Sequence, residues 1–300
     1  MNNKISCIAY GMMLGAVVLL GGCNSRPSNP LPSVAGNTVA AFLTDSPSDG
    51  VVSFRIDITG AALVSSNGAE FNFSSGLQQI ELRHLQLAPT LALQTKNAPN
   101  GNYTGLRLTF ANPQITLCDA QGNVTILNAK SVPSVSLSSV SINLPISVIL
   151  QGNMAAGLMI DFDLRQSIQT DSRGNYVITP VLDARTINNS SNEEVVQNAE
   201  GTVLSVPSAG VMNLQLADTG QTVRTLTNQS TAFAADSGPT GVFGPGDAVE
   251  FDAQFHADGT LYTDKLFVFS PDSEVTFRCL VTRVTQDPSG HTSIEVVSQE

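Results

Sequence analysis

The sequence predicts an all-β protein: an antiparallel β-sandwich, then a small OB-like β-barrel, then a C-terminal hairpin that begins a partial repeat. Three observations carry that expectation. Apolar and polar residues alternate at period two along many short stretches, as in strands with one buried face. Gly, Pro, Asn and Asp clusters separate those stretches at short intervals, as turns do. Only Gln79 to Leu87 has the character of a helical turn, too short to shape the architecture. The 300 residues suffice for two ordinary cores.

The chain opens with a basic Met1–Lys4 segment and a nearly uncharged run, Ile5 to Leu20. That run is about 16 residues, short of the ~20 a spanning helix needs, so it reads as a cleavable signal. It ends in Leu19-Leu20-Gly21-Gly22-Cys23. This motif resembles the lipobox of bacterial lipoproteins, in which cleavage over residues 1–22 leaves the cysteine as the lipid-bearing N-terminus. The resemblance implies diacylglycerol on Cys23, usually with an acylated amine, and two or more chains anchor stably. Asn24, where an Asp would retain such a protein at the inner membrane, implies the outer membrane in a Gram-negative host. Residues 23–37 are rich in Pro, Ser and Asn and lack apolar periodicity, which makes them a tether.

Strand patterning fills 38–187. Val52, Phe54, Ile56 and Ile58 alternate with Ser53, Arg55, Asp57 and Thr59. The pattern recurs at Thr104–Phe110, Ile142–Val148 and Leu158–Leu164, and a last strand covers Tyr176 to Ile187. Many short strands, each with one apolar face, make two packed sheets. Phe42-Leu43-Thr44-Asp45-Ser46-Pro47, Ile58-Thr59-Gly60, Gly101-Asn102-Tyr103-Thr104, Asp161-Phe162-Asp163-Leu164 and Thr179-Pro180-Val181-Leu182 follow in that order. Together they resemble the bacterial lipoprotein domain known as domain of unknown function 4382. The resemblance implies a surface β-sandwich and no known activity.

Polar residues 188–198 read as a linker. A small module over 199–271 carries strands near Thr202–Val206, Met212–Leu216, Thr222–Leu226, Thr231–Ala234, Ala248–Phe255 and Leu261–Phe269. Asp258-Gly259 marks the last hairpin. Such a set closes into a small OB-like barrel. Gly201-Thr202-Val203, Gly246-Asp247 and Asp258-Gly259-Thr260-Leu261 resemble the module known as domain of unknown function 5666. Over 272–300 the opening repeats: Gly201–Val206 is echoed by Cys279–Val284, and Asn213–Leu216 by Ser293–Val296. The segment reads as the start of a second, incomplete barrel.

Candidate chemistry is sparse. Asp45 and Asp49 fail the EF-hand pattern, which needs an oxygen ligand and a Glu where Pro47 and Ile56 stand. Asp161 and Asp163 share a strand face; with Asp45 they are the candidate cation ligands, weighed against a solvated outer face. Tyr103 is the candidate glycan platform, weighed against packing, in a chain without Trp. Cys118 and Cys279 read as buried thiols. His84, His256 and His291 stand far apart, and no H-E-x-x-H, G-x-S-x-G, P-loop or dinucleotide glycine pattern occurs.

The net charge of −11, with no Lys/Arg cluster, argues against nucleic acid as a partner and against electrostatic attraction to anionic lipid. The expectation is a non-catalytic, lipid-anchored envelope protein without a cofactor, serving as a binding or scaffold module. Its partners would be the membrane through its lipid and an envelope protein or a glycan. Two alternatives stay open: surface carbohydrate binding, and an enzyme with an Asp-based or metal site.

Overall fold

The alternating stretches become strands in the computed structural model. It describes residues 36–46, 51–73, 78–86, 89–118, 124–187, 194–217, 219–235, 243–256, 258–269, 279–286 and 292–298. The signal, Cys23, Asn24 and the tether lie outside them, as do Asp49 and His291.

Among the described residues the sandwich region has thirteen strands, ten in its two main sheets and three in a small third sheet. They are β1 (Asn37–Ser46), β2 (Val51–Ser65), β3 (Glu70–Asn72), β4 (Gln78–Glu81), β5 (Thr90–Ala98), β6 (Gly101–Cys118) and β7 (Val124–Leu127). After them come β8 (Val135–Leu137), β9 (Ser141–Leu150), β10 (Ala155–Asp163), β11 (Ile168–Thr170), β12 (Tyr176–Ile178) and β13 (Leu182–Ile187). A 3₁₀ turn, Arg83–Gln86, follows β4, and a single helical turn, α1 (Leu164–Ser167), follows β10.

Apart from a small sheet of order β11-β12-β8, two sheets make the sandwich, one of which has the order β13-β10-β1-β5. The other is centred on the long β2 and β6, with β3 and β4 along the free edge of β2 and β7 and β9 along that of β6. Between them lies a core containing Phe54, Ile56, Leu108, Phe110, Leu158, Ile160 and Phe162. Phe162 meets both Phe54 and Phe110 at 6.0 Å between ring centroids.

The expected sandwich is present, but its first sheet is not purely antiparallel. β1 and β10 run parallel, Ala41 opposite Leu158 and Leu43 opposite Ile160. Parallel strands are usually buried on both faces and read as continuous apolar runs. Val39-Ala40-Ala41-Phe42-Leu43 is such a run, and every one of its residues is buried. Val39, Ala41 and Leu43 join the sandwich core, whereas Ala40 and Phe42 belong to a second core on the other face.

The second core is roofed by the barrel. Its strands are β14 (Glu194–Ser208), β15 (Val211–Leu216), β16 (Thr222–Leu226), β17 (Ala232–Ala235), β18 (Ala248–Phe255) and β19 (Leu261–Val268). β14 pairs antiparallel with β15 and β18, β15 with β16, and β18 with β19. Parallel pairing of β16 with β19 closes the ring. This connectivity is that of an OB-like barrel. β14 starts at Glu194, inside the stretch expected as a linker, because Val195 and Val196 are wholly buried in the second core.

Barrel and sandwich share that core: Ala40, Phe42, Leu91, Met159 and Ile187 pack with Val196, Phe251, Phe255 and Leu261. Phe42 meets Phe255 edge-on at 5.6 Å. Gln221 Nε2 donates to the Ala92 carbonyl, and Thr219 Oγ1 donates to that of Leu91 at 3.4 Å. Gly157 is required where the two parts meet. A Cβ there would stand 2.9 Å from both Ile187 Cδ1 and Phe255 Cδ1.

The C-terminal strands β20 (Cys279–Gln286) and β21 (Thr292–Ser298) pair with each other as the repeat predicts. Gly201 faces Leu216 in the first hairpin and Cys279 faces Ser298 in the second. Both pairings shift after the third residue, between Val203 and Ser205 and between Val281 and Arg283. By this register the partner of Asn213–Leu216 is Glu295–Ser298, two residues beyond the match read from sequence. The turns differ in length, which side-chain character alone did not register.

Candidate functional site

Asp45 sits near the end of β1, where the parallel pairing sets it opposite Phe162, while Thr44 lies opposite Asp161 and Ser46 opposite Asp163. Because strand side chains alternate between faces, Asp45 faces inward with Leu43, and Asp161 and Asp163 face the other way. The three candidate carboxylates are thus near neighbours at one sheet end, divided between its two faces. Asp163 is occupied as the N-cap of α1, accepting the Gln166 N–H at 2.9 Å. Asp161 has an interaction of its own. Among the described residues no group of three His, Cys, Asp or Glu is arranged to hold a metal ion.

Asp45 is the unusual member. It is 5% exposed, and neither carboxylate oxygen completes a hydrogen bond. Burial pushes its carboxyl up to about 7, outweighing the Leu164 N–H and the Arg83 charge that favour ionisation; Asp161 and Asp163 add to the rise. An uncompensated buried carboxylate is costly, so the neutral acid is the form this site accommodates.

Tyr103 turns out to be a packing residue. Its ring is 3% exposed within the sandwich core, and its hydroxyl donates to the Pro99 carbonyl at 2.9 Å. It offers no face to a sugar. The turn between β18 and β19 is also engaged. OB barrels often take ligands on this loop, but here Gly259 lies so close to the sandwich that a Cβ on it would stand 3.1 Å from Ala155 Cβ. His256, at the start of that turn, packs against Tyr262 with the ring centroids 4.2 Å apart and the rings tilted by 43°. His84 lies on the 3₁₀ turn. Cys118 is half-buried at the end of β6, while the Cys279 side chain lies outside the described set.

One charged cluster escaped the sequence reading. Ser53, Arg55 and Asp57, expected on a solvated face, are buried. Arg55 Nε lies 3.4 Å from Glu81 Oε2, and Glu81 also accepts from Ser53 Oγ and from the Phe54 and Arg83 N–H groups. Asp57 accepts from Asn112 Nδ2 at 2.7 Å and from Gln79 Nε2 at 3.3 Å. Burial pushes the Glu81 carboxyl up, opposed by these hydrogen bonds and by Arg55. The cluster ties β4 and β6 to β2. The only advance sign was an Arg and an Asp two apart on one strand face.

Comparison with known families matches residues 37–180 to Domain of unknown function (DUF4382). The match covers β1 to β12 and stops before β13 and the barrel. No curated protein matches the chain.

Proposed function

We propose that the protein is a lipid-anchored component of the bacterial cell envelope, held by Cys23, whose sandwich and barrel act together as a non-catalytic binding or scaffold body. The observation that carries this reading is the Leu19–Cys23 motif, placed after a short apolar signal and before a Pro-rich tether. Among the described residues no helix is long and apolar enough to cross a membrane. Asn24 favours the outer membrane in a Gram-negative host. The barrel connectivity fits a module similar to domain of unknown function 5666.

A protein partner fits better than a glycan. Burial of Tyr103 takes away the proposed sugar platform, and the acidic charge disfavours nucleic acid. Apolar side chains remain outside: Val132 and Val140, flanking β8, are exposed. Crosslinking of the native protein in intact membranes is expected to capture a protein neighbour through the sandwich or barrel surface. Recovery of lipid adducts alone would count against the binding or scaffold role and leave the anchor standing.

A further inference from the structure

We propose that Asp45 is a proton-operated latch, which keeps the end of β1 packed against the 3₁₀ turn and α1 while neutral and loosens that end of the sandwich when ionised. This device is independent of the membrane anchor and of any partner. It rests on where the side chain lies. Asp45 is 5% exposed, both oxygens lack a completed hydrogen bond, and the inward face of the sheet there is apolar. Thr90, opposite Leu43 on the neighbouring strand, is also buried with an unpartnered Oγ1, and the one charged residue of β5, Lys96, stands far along the strand opposite Thr38.

The groups around it set the direction. From the 3₁₀ turn, Arg83 favours the ionised form; from β10, Asp161 and Asp163 oppose it; α1 contributes the Leu164 N–H. An ionised Asp45 would strain the ties of this corner. Thr44 Oγ1 reaches the Leu85 carbonyl at 3.4 Å, and Asp163 holds the first turn of α1. Two more carboxylates stand at the same sheet end, so the loss of a proton adds repulsion as well as desolvation.

The sign follows from linkage. The carboxyl binds its proton up to about pH 7 in the folded chain, against 3.8 for an ordinary Asp. The folded state therefore holds an extra proton between those limits, and stability falls as pH rises through that window, levelling off above it. Opening at this corner should follow the same course.

Amide hydrogen exchange on the full chain tests the latch, at about pH 5.5 and about pH 8 with rates corrected for their intrinsic pH dependence. Segments 40–46 and 162–168 are expected to open roughly tenfold more at the higher pH, while 248–255 in the barrel keeps its protection. In Asp45→Asn the two segments should be equally protected at both pH values. A wild type with no pH dependence there, or an Asn variant that keeps it, overturns the proposal. Should the variant fail to fold, a carbon-13 titration of the wild-type Asp45 carboxyl decides. A midpoint near neutrality supports the latch, and one in the ordinary carboxylate range overturns it.

Discussion

Phe42→Ala is expected to cost about 3–5 kcal/mol and to weaken sandwich and barrel together. The side chain is fully buried on the outward face of its sheet, edge-on to Phe255 of the barrel. Its removal leaves a cavity bordered by both parts, with little room to collapse, because β1 is held between β5 and β10. The same face carries Ala40, Leu91 and Met159. Together they form a second apolar layer, which the barrel covers. Urea unfolding of the variant, followed by a sandwich probe and a barrel probe, should show one transition moved to lower denaturant for both. Two separate transitions, with only one displaced, would mean that the shared core does not couple the two parts.

Arg55→Met comes next, with an expected loss of about 3 kcal/mol at neutral pH. The methionine fills much of the volume but leaves Glu81 without its cation. The three hydrogen bonds from Ser53, Phe54 and Arg83 remain, which keeps the cost at the lower end for a broken pair. Losing Arg55 raises the Glu81 carboxyl further in the folded state, since burial already does so. A raised folded value means that protonation favours the fold, so the deficit should shrink as pH falls toward the ordinary glutamate range. Denaturation curves at neutral and mildly acidic pH measure this. A deficit that stays constant over that range would assign the loss to packing rather than to the uncompensated charge.

Strand identity was the most legible property of this chain. Period-two alternation placed β9, β10, β18 and β19 within a few residues of where they lie and found the middle of the longer β2 and β6, which run on to Ser65 and Cys118. What a strand's second face touches is not written in its own alternation. Ser53, Arg55 and Asp57 look like a solvated face and are buried with Glu81, which is distant in sequence. Met159 looks like the outward neighbour of Leu158 and Ile160, and it is outward, but the barrel lies over it. The small residues Ala40, Ala155 and Gly157 are the trace of that close approach, meaningful only once the barrel is in place.

The candidate sites divide in the same way. Asp161 and Asp163 do share one strand face, as their spacing requires, but the inward orientation of Asp45 depends on the register of β1 against β10, a pairing across most of the domain. Tyr103, next to a loop, resembles an accessible aromatic until the backbone carbonyl of Pro99 takes its hydroxyl. The role proposed for Cys23 rests on sequence context alone, the Leu19–Cys23 motif and its surroundings.

The most direct test of the account is therefore the lipid anchor. Metabolic labelling with palmitate, followed by membrane fractionation, should find the native protein labelled and in the membrane fraction. Cys23→Ser should be unlabelled and soluble, with sandwich and barrel intact. A Cys23→Ser protein that stays in the membrane through salt and carbonate washing would contradict the account.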